Sequence, residues 1–229
     1  MPYIAGVDGC PAGWIVVLVE IHEAVVREEA LLFGSFEEVL SASPRPAVIA
    51  VDSPIGLLER REAGGRQCDR EARRVLGKPR SSSIFSPPPR PALTVGDFTE
   101  AAVWGLNRQS FGIMAKVREL DDIMTPERQS LVHEVHPEVT FFVMDGLVPM
   151  AEGKRSRSGR EARRAILGRY FYQVDEMLGK YPRRSVGSED VLDAYAAAWT
   201  AMRIYRKEAG RIPDDPPRDE KGLEMAIWY

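Results

Sequence analysis

Four aspartates stand where a chain seldom places acids without a use for them. Asp8 ends the first apolar run in "IAGVDGCPAGWIVVLVE", and Asp52 ends "PAVIAVDSPIG". Asp190 and Asp193 are three apart in "SEDVLDAYAAAWTA", so on a helix they occupy neighbouring parts of one face. Carboxylates that converge repel one another, and burying them unpaired is costly. A hard divalent cation offsets both penalties, and an all-oxygen donor set suits Mg²⁺ or Mn²⁺. Two such ions about 3.5–4 Å apart activate water and stabilise the leaving oxygen in phosphodiester hydrolysis. Asp8, Asp52, Asp190 and Asp193 are therefore the candidate metal ligands and catalytic acids, with Mg²⁺ or Mn²⁺ as cofactor. Taken singly, each acid also fits a turn or a helix first turn, where the dipole favours it. The set is what points to a metal centre.

The elements around these acids read as follows. Tyr3–Gly9, Trp14–Ile21 and Val25–Phe33 are apolar or alternating runs with short spacings, which predicts an antiparallel meander. Ser35 caps a short helix with Glu37 and Glu38 in its first turn. Pro46–Gly56 is a fourth strand. Ser130–Phe142 gives a fifth strand and then, from Pro137, a helix start. Arg160–Gly179 and Ser188–Lys207 read as helices, the second with Ser188 as N-cap. Leu57 to about Ser130 breaks the pattern: Gln67–Leu76 is helical and basic, Gly77–Leu93 is too rich in Pro and Ser for either element, and Phe98–Leu120 is helical again. Pro213–Lys221 is a loop, and "GLEMAIWY" closes the chain as a short strand or packed tail. The expectation is an α/β fold of one domain over 1–229. It has an RNase H-like mixed five-stranded sheet, first three strands antiparallel, flanked by helices, and a helical and Pro-rich insertion at about 57–130. In that sheet strands one and four are adjacent and the last helix packs on them, so the aspartates converge.

Composition narrows the setting. The 229 residues are 44% hydrophobic and 28% charged, an ordinary balance with enough chain for a substantial core. The net charge is −3, which argues against tight nonspecific binding to nucleic acid but leaves room for local basic patches. Cys10 and Cys68 have no CxxC partner, so a reducing, cytoplasmic setting is expected. No signal-like leader and no apolar run of about 18 residues is present, so no membrane association is expected.

Other residues join the candidate site. Glu134 and His136 are two apart, which on a strand puts them on one face. Glu134 suits ligation or water orientation, and His136 suits proton transfer or a local hydrogen bond at the strand–helix junction. Substrate phosphate has several candidate partners. Arg70 and Arg74 lie in "RQCDREARRVLG", where Arg66, Arg70, Arg73 and Arg74 otherwise form a solvated helix face. Arg80, Ser82, Ser83 and Arg90 flank the Pro-rich loop. Lys154, Arg155 and Arg160 lie in "GKRSRSGREARR", either a substrate-gripping loop or an exposed one kept soluble by charge. Trp14 and Trp199 belong in the core.

The segments "GVDGCPAGW", "VDSPIGL", "CDREARRVLG", "SSSIFSPPPR", "EVHPEVTFF" and "DVLDAYAAAWTA", with the closing "GLEMAIWY", resemble domain-of-unknown-function family 429 over nearly the whole chain. "SSSIFSPPPR" is the most specific of them. The resemblance implies an RNase H-like fold and a nuclease activity of undefined substrate. "DVLDAYAAA" is also similar to the last acidic helix of RuvC-type Holliday-junction resolvases, which carries two aspartates three apart. Those enzymes commonly place Glu where this chain has Asp52, a shorter acid with a different reach. The expected function is thus Mg²⁺-dependent hydrolysis of phosphodiester bonds in DNA or RNA. The alternatives are a nucleotide-dependent phosphoryl-transfer protein related to actin-like ATPases, which usually duplicate the fold, or a noncatalytic binding protein on the same core.

Overall fold

A computed structural model describes residues 1–108 and 110–229 in full. Its elements, in chain order, are β1 (Tyr3–Cys10), β2 (Gly13–Ile21), β3 (Val25–Phe33), α1 (Phe36–Leu40), β4 (Val48–Asp52) and α2 (Gln67–Leu76). Then come α3 (Phe98–Val103), α4 (Arg108–Ile123), β5 (Val132–Glu134), α5 (Pro137–Met144), α6 (Arg157–Leu167), α7 (Val174–Leu178) and α8 (Ser188–Arg206). The chain ends with the two-residue strands β6 (Arg211–Ile212) and β7 (Ile227–Trp228), which pair with each other. Two 3₁₀ turns, Arg80–Ser83 and Arg90–Thr94, carry the Pro/Ser-rich stretch.

The main sheet has the strand order β3-β2-β1-β4-β5. β1, β2 and β3 are antiparallel neighbours, while β1–β4 and β4–β5 are parallel. This is the RNase H-like arrangement. Both faces of β1 and β2 are buried, which is why their sequences are nearly unbroken apolar runs. Alternation divides those residues between two cores. Ile4, Ile15, Val17 and Ala50 pack against α5–α8, whereas Ala5, Val16, Ile49 and Val51 pack with Phe36, Leu120 and Met124 on the other face.

One residue sets how closely the last helix lies on the sheet. Gly6, in the middle of β1, has no side chain to hold α8 away. A Cβ there would lie 2.0 Å from the Ala198 amide nitrogen and 2.1 Å from the Ala194 carbonyl oxygen. Ala194, Ala196, Ala197, Ala198 and Ala201 are all buried, so α8 presents small residues to this contact. The helix runs antiparallel to β1: Ala198 and Ala194 meet Gly6, and its N-terminal turns reach the carboxyl ends of β1 and β4.

Several boundaries differ from the sequence reading. Phe98–Leu120 is two helices, α3 and α4, separated at Gly105, whose φ of +69° no continuing helix adopts. Arg160–Gly179 is also two, α6 and α7, parted by the segment from Gly168 to Gln173. Gly187, not Ser188, is the N-cap of α8, and Asp190 closes it by accepting the Gly187 N–H at 2.9 Å. No described helix is long and apolar enough to cross a membrane.

Gly6→Ala forces a methyl group into the backbone of α8. We expect a loss of stability of about 1–3 kcal/mol or more, read as a lower urea midpoint at unchanged m-value.

Candidate metal centre and substrate cavity

Asp8 and Asp52 are register partners across the parallel pair β1–β4. Each is an even-numbered residue of its strand, in phase with Ile4 and Gly6 or with Val48 and Ala50. That phase turns both carboxylates toward α8. Asp193 arrives from the helix one residue before Ala194, the residue that touches Gly6. Asp8, Asp52 and Asp193 each offer a carboxylate oxygen, and these oxygens all lie within 4.8 Å of one another.

The surroundings are largely closed. Asp193 is 1% exposed, and its Oδ1 is buried without any hydrogen-bond partner. Its Oδ2 accepts from Lys154 Nζ at 2.5 Å. Asp8 Oδ1 accepts the Gly9 N–H at 2.7 Å. Burial pushes the Asp8 carboxyl well above its ordinary range, and the charges of Asp52 and Asp193 add to it. Burial, followed by the charge of Asp193, pushes Asp52 up to about 8. The same acids hold the Lys154 ammonium in its charged form, Asp193 most strongly. A set of hard oxygens, from buried Asp8 and Asp193 and half-buried Asp52 and with one oxygen lacking any partner, fits a divalent cation. Asp8, Asp52 and Asp193 are the residues that would hold it.

The acids form one wall of a cavity of about 530 Å³. Arg80, Lys116, Lys154 and Arg155 line it too, as do Ser83, Phe85 and Trp14. Trp14 is buried and fixed by Phe36 edge-on at 5.0 Å, Lys116 over its ring, and an indole N–H donated to Glu119 at 3.0 Å.

The remaining candidates fall into different places. Asp190 lines the cavity, but its carboxylate closes the cap of α8 and it is not one of the three convergent acids. Burial raises its pKa. Glu134 is two residues from Val132, whose side chain packs on the face away from α8. Alternation therefore turns Glu134 to the face away from α8, although it still lines the same cavity as the aspartates and its charge adds to the rise at Asp52. There it grips Arg66 through both oxygens, at 2.6 and 2.7 Å, and accepts the Ile55 N–H at 2.7 Å. His136 follows β5 in extended backbone and lines the same cavity as Glu134. It also caps α5: Nδ1 accepts the Glu138 N–H at 3.2 Å, leaving Nε2 to donate to the Ser83 carbonyl at 3.3 Å. The Nδ1 contact requires the neutral ring, and burial pushes its pKa down to about 4.

Among the basic candidates, Arg80, Lys154 and Arg155 line the cavity with Ser83, while Ser82 lines an adjoining one. Arg90 is held by Glu59, Asp121 and Asp219. Arg70 pairs with Glu62, Arg160 bonds the Arg155 carbonyl and pairs with Glu189, and Arg74 is exposed; none of the three lines either cavity.

Arg66, read as part of a solvated helix face, and Arg163, in the run read as a gripping or an exposed loop, are both buried. Arg66 is 2% exposed and donates to Asp69, Glu134 and the carbonyls of Ile55 and Gly56. It ties the segment after Asp52 to α2 and β5. Arg163 is fully buried and bonds Glu138 Oε1 at 2.5 Å, lying 5.4 Å from the Phe141 ring centroid. Glu138 was not singled out from sequence. It lines the cavity, and its Oε2 is buried without a partner. The available signal was its place in "EVHPE", in the first turn of a helix behind Pro137.

In comparisons with known proteins, the family model described as "Protein of unknown function (DUF429)" matches residues 6–218. No curated protein matches the chain. Similar solved structures include RuvC of Thermus thermophilus, at 12% identity and TM-score 0.34, covering 90% of this chain and 97% of that one. Another is T. thermophilus RuvC in complex with Holliday junction substrate, at 13% identity and TM-score 0.32, covering 91% and 98%.

The raised Asp52 pKa carries a sign. Folded Asp52 keeps its proton up to about pH 8, whereas an unfolded Asp loses it near 3.8. Between those values the folded state binds more protons, so this contribution to stability is complete below pH about 4 and is lost as pH rises through 8. In EDTA, Asp52→Asn should melt progressively higher than wild type from pH 5 to pH 9, with the two converging at the acid end. Parallel melting curves at every pH would contradict that charge assignment.

Proposed function

This chain belongs to the protein-of-unknown-function family DUF429, and from that premise we propose that it is a divalent-metal-dependent hydrolase of phosphodiester bonds in nucleic acid. One observation carries the reading: Asp8, Asp52 and Asp193 offer oxygens within 4.8 Å of one another at a buried cavity wall, and Asp193 Oδ1 has no partner there. We read 1–229 as one domain in which about 57–130 is an insertion that walls the cavity, since Ser83, Phe85 and Ile113 all line it.

A bound Mg²⁺ or Mn²⁺ would neutralise the phosphate and make its bound water acidic enough to attack. The chain's own residues supply the rest. Lys154, Arg80 and Arg155 face the same cavity as the acids and neutralise the substrate's phosphate oxygens. Glu138 Oε2 accepts the proton of the attacking water, while Arg163 holds the carboxylate through its other oxygen. His136 stays neutral and holds the turn from β5 into α5, and so positions Glu138. Arg66 fixes the chain directly after Asp52. Asp190 contributes through the cap that orients the first turn of α8.

Lys154 is the internal counter-ion of the cluster. Its ammonium stands against Asp193 and is stabilised by Asp8 and Asp52. It supplies one of the positive charges that two metal ions would otherwise bring, so the site takes a single divalent cation.

Wild type should cleave single-stranded oligonucleotides with Mn²⁺ and not in EDTA. Asp8→Asn and Asp193→Asn should each lower the rate by about 100-fold or more at unchanged melting temperature or higher. Retained cleavage in both variants would remove the proposal. By calorimetry, Mn²⁺ should bind wild type at one per chain. Lys154→Gln should bind it about tenfold tighter, equivalent to about 1.4 kcal/mol, because the competing ammonium is gone. Equal affinity would show that Lys154 does not share the cation's position.

A further inference from the structure

A second cavity, of about 690 Å³, adjoins the first and shares Ser83 and Phe85 with it. The segment Leu58–Gly65 and the far side of the Pro/Ser-rich loop build it, with Gly105–Asn107 closing one side. Arg60 and Arg61 line it, and among the described residues neither has a carboxylate partner or a hydrogen bond. Most arginines elsewhere in the fold are engaged. Arg66, Arg90 and Arg163 sit on buried acids, and Arg73 bonds the carbonyls of Gly64 and Ile84 and the Ser86 hydroxyl.

Arg61 is also seated rather than merely exposed. A Cβ at residue 105 would lie 1.8 Å from Arg61 Nη1. Gly105, at φ +69°, therefore both turns the chain between α3 and α4 and leaves the space the guanidinium occupies. Across the cavity Gly64 and Gly65 take φ of +81° and +77° in succession. The Gly65 N–H is taken by the Glu62 carbonyl at 3.1 Å, so this turn shapes the wall and the two arginines carry the charge. The arrangement holds two cations beside a glycine turn, neither of them in an ion pair, since Glu62, which also lines the cavity, is paired with Arg70.

We propose that this cavity is the subsite for a phosphate of a single nucleic-acid strand one or two nucleotides from the reacting one, the strand crossing from the acid-lined cavity over Ser83 and Phe85. The proposal rests on the phosphodiester reading above and names its substrate as a polymer strand rather than a lone nucleotide. Each cavity falls within the roughly 300–1,000 Å³ that encloses a small ligand, which suits one or two nucleotides of one strand. A duplex keeps its bases stacked, and reaching a recessed group requires pulling a nucleotide out of that stack. Phe85, at the junction, offers a ring on which any base can stack without sequence preference. The chain's net charge of −3 suits such local capture better than a broad electrostatic footprint.

The test compares wild type with Arg60→Ala/Arg61→Ala, two exposed positions outside the acid cluster. Binding of a fluorescein-labelled twelve-nucleotide oligothymidylate is read by anisotropy in EDTA, over a range of salt. Hydrolysis of bis(p-nitrophenyl) phosphate with Mn²⁺ reports on the acid-lined cavity alone. The double variant should bind the oligonucleotide at least tenfold more weakly. Its salt slope should fall by about 1.4, at about 0.7 per lost phosphate contact on a single strand. Its kcat/KM on the small diester should stay within twofold of wild type. A duplex of the same length should bind wild type at least tenfold more weakly than the single strand. Equal oligonucleotide affinity in the two proteins overturns the subsite, as does a wild type that binds no oligonucleotide or binds duplex as tightly. Small-diester hydrolysis with no effect of the double substitution on oligonucleotide binding leaves the metal-hydrolase reading standing without the subsite. Arginine-dependent strand binding with no Mn²⁺-dependent hydrolysis keeps the subsite and defeats the hydrolase.

Discussion

The contact between Gly6 and the backbone of α8 is the constraint on which the rest of the site depends. It brings a helix onto a sheet at a separation no side chain at that position would permit. Asp193 precedes Ala194, one of the two residues touched, so the depth of that contact sets the distance from Asp193 to the strand ends. The alanine-rich stripe of α8 serves the same approach. Its positions look like ordinary helix formers, but their smallness is what the packing uses. A larger residue on either side would hold the helix off and withdraw the third acid from the other two.

That geometry concentrates like charge in a buried place, and the structure answers it locally. Lys154 brings positive charge to the acids, and two carboxyls are driven toward their protonated forms. On either side lie buried ion pairs of a different kind. Arg66 is fully hydrogen-bonded by two acids and two carbonyls, and Arg163 is tied to Glu138. Desolvating such pairs costs several kcal/mol per ion, and their mutual attraction offsets this only when the geometry is good. They hold the segments that frame the cavity: the chain after β4, the start of α2 and the first turn of α5.

Much of this was legible in the residues. Apolar runs marked the four long strands, and short spacings marked the antiparallel start. The acids at the ends of two runs, with a pair on the late helix, already suggested convergence, and three of the four do converge. The errors have a common origin. The run around Arg66 read as a solvated helix face, and the basic run that contains Arg163 as a gripping or an exposed loop, because charge patterning and periodicity report which residues share a face and not what packs on it. Glu134 and His136, paired by strand spacing, do line one cavity, but local partners hold each of them: Arg66 for Glu134 and the first turn of α5 for His136. The long helices expected at 98–120 and 160–179 break where the chain turns, a choice that glycine permits without requiring it.

Fold class, the run of strands along the chain and the places of Asp8 and Asp52 at strand ends could be read from the residues, because these follow from local pattern and from the two-residue period of a strand. Which acids meet and which basic groups remain free was settled by packing. Asp190 closes a cap while Asp193, three residues later, faces the strands. Arg90 is consumed by three acids while Arg60 and Arg61 are left without one. Those outcomes depend on partners far apart in the chain, 68 residues for Arg66 and Glu134 and 39 for Lys154 and Asp193. Hydrogen bonds and ion pairs act over a few ångströms, so separation in space selects each partner, and spacing along the chain does not reveal it.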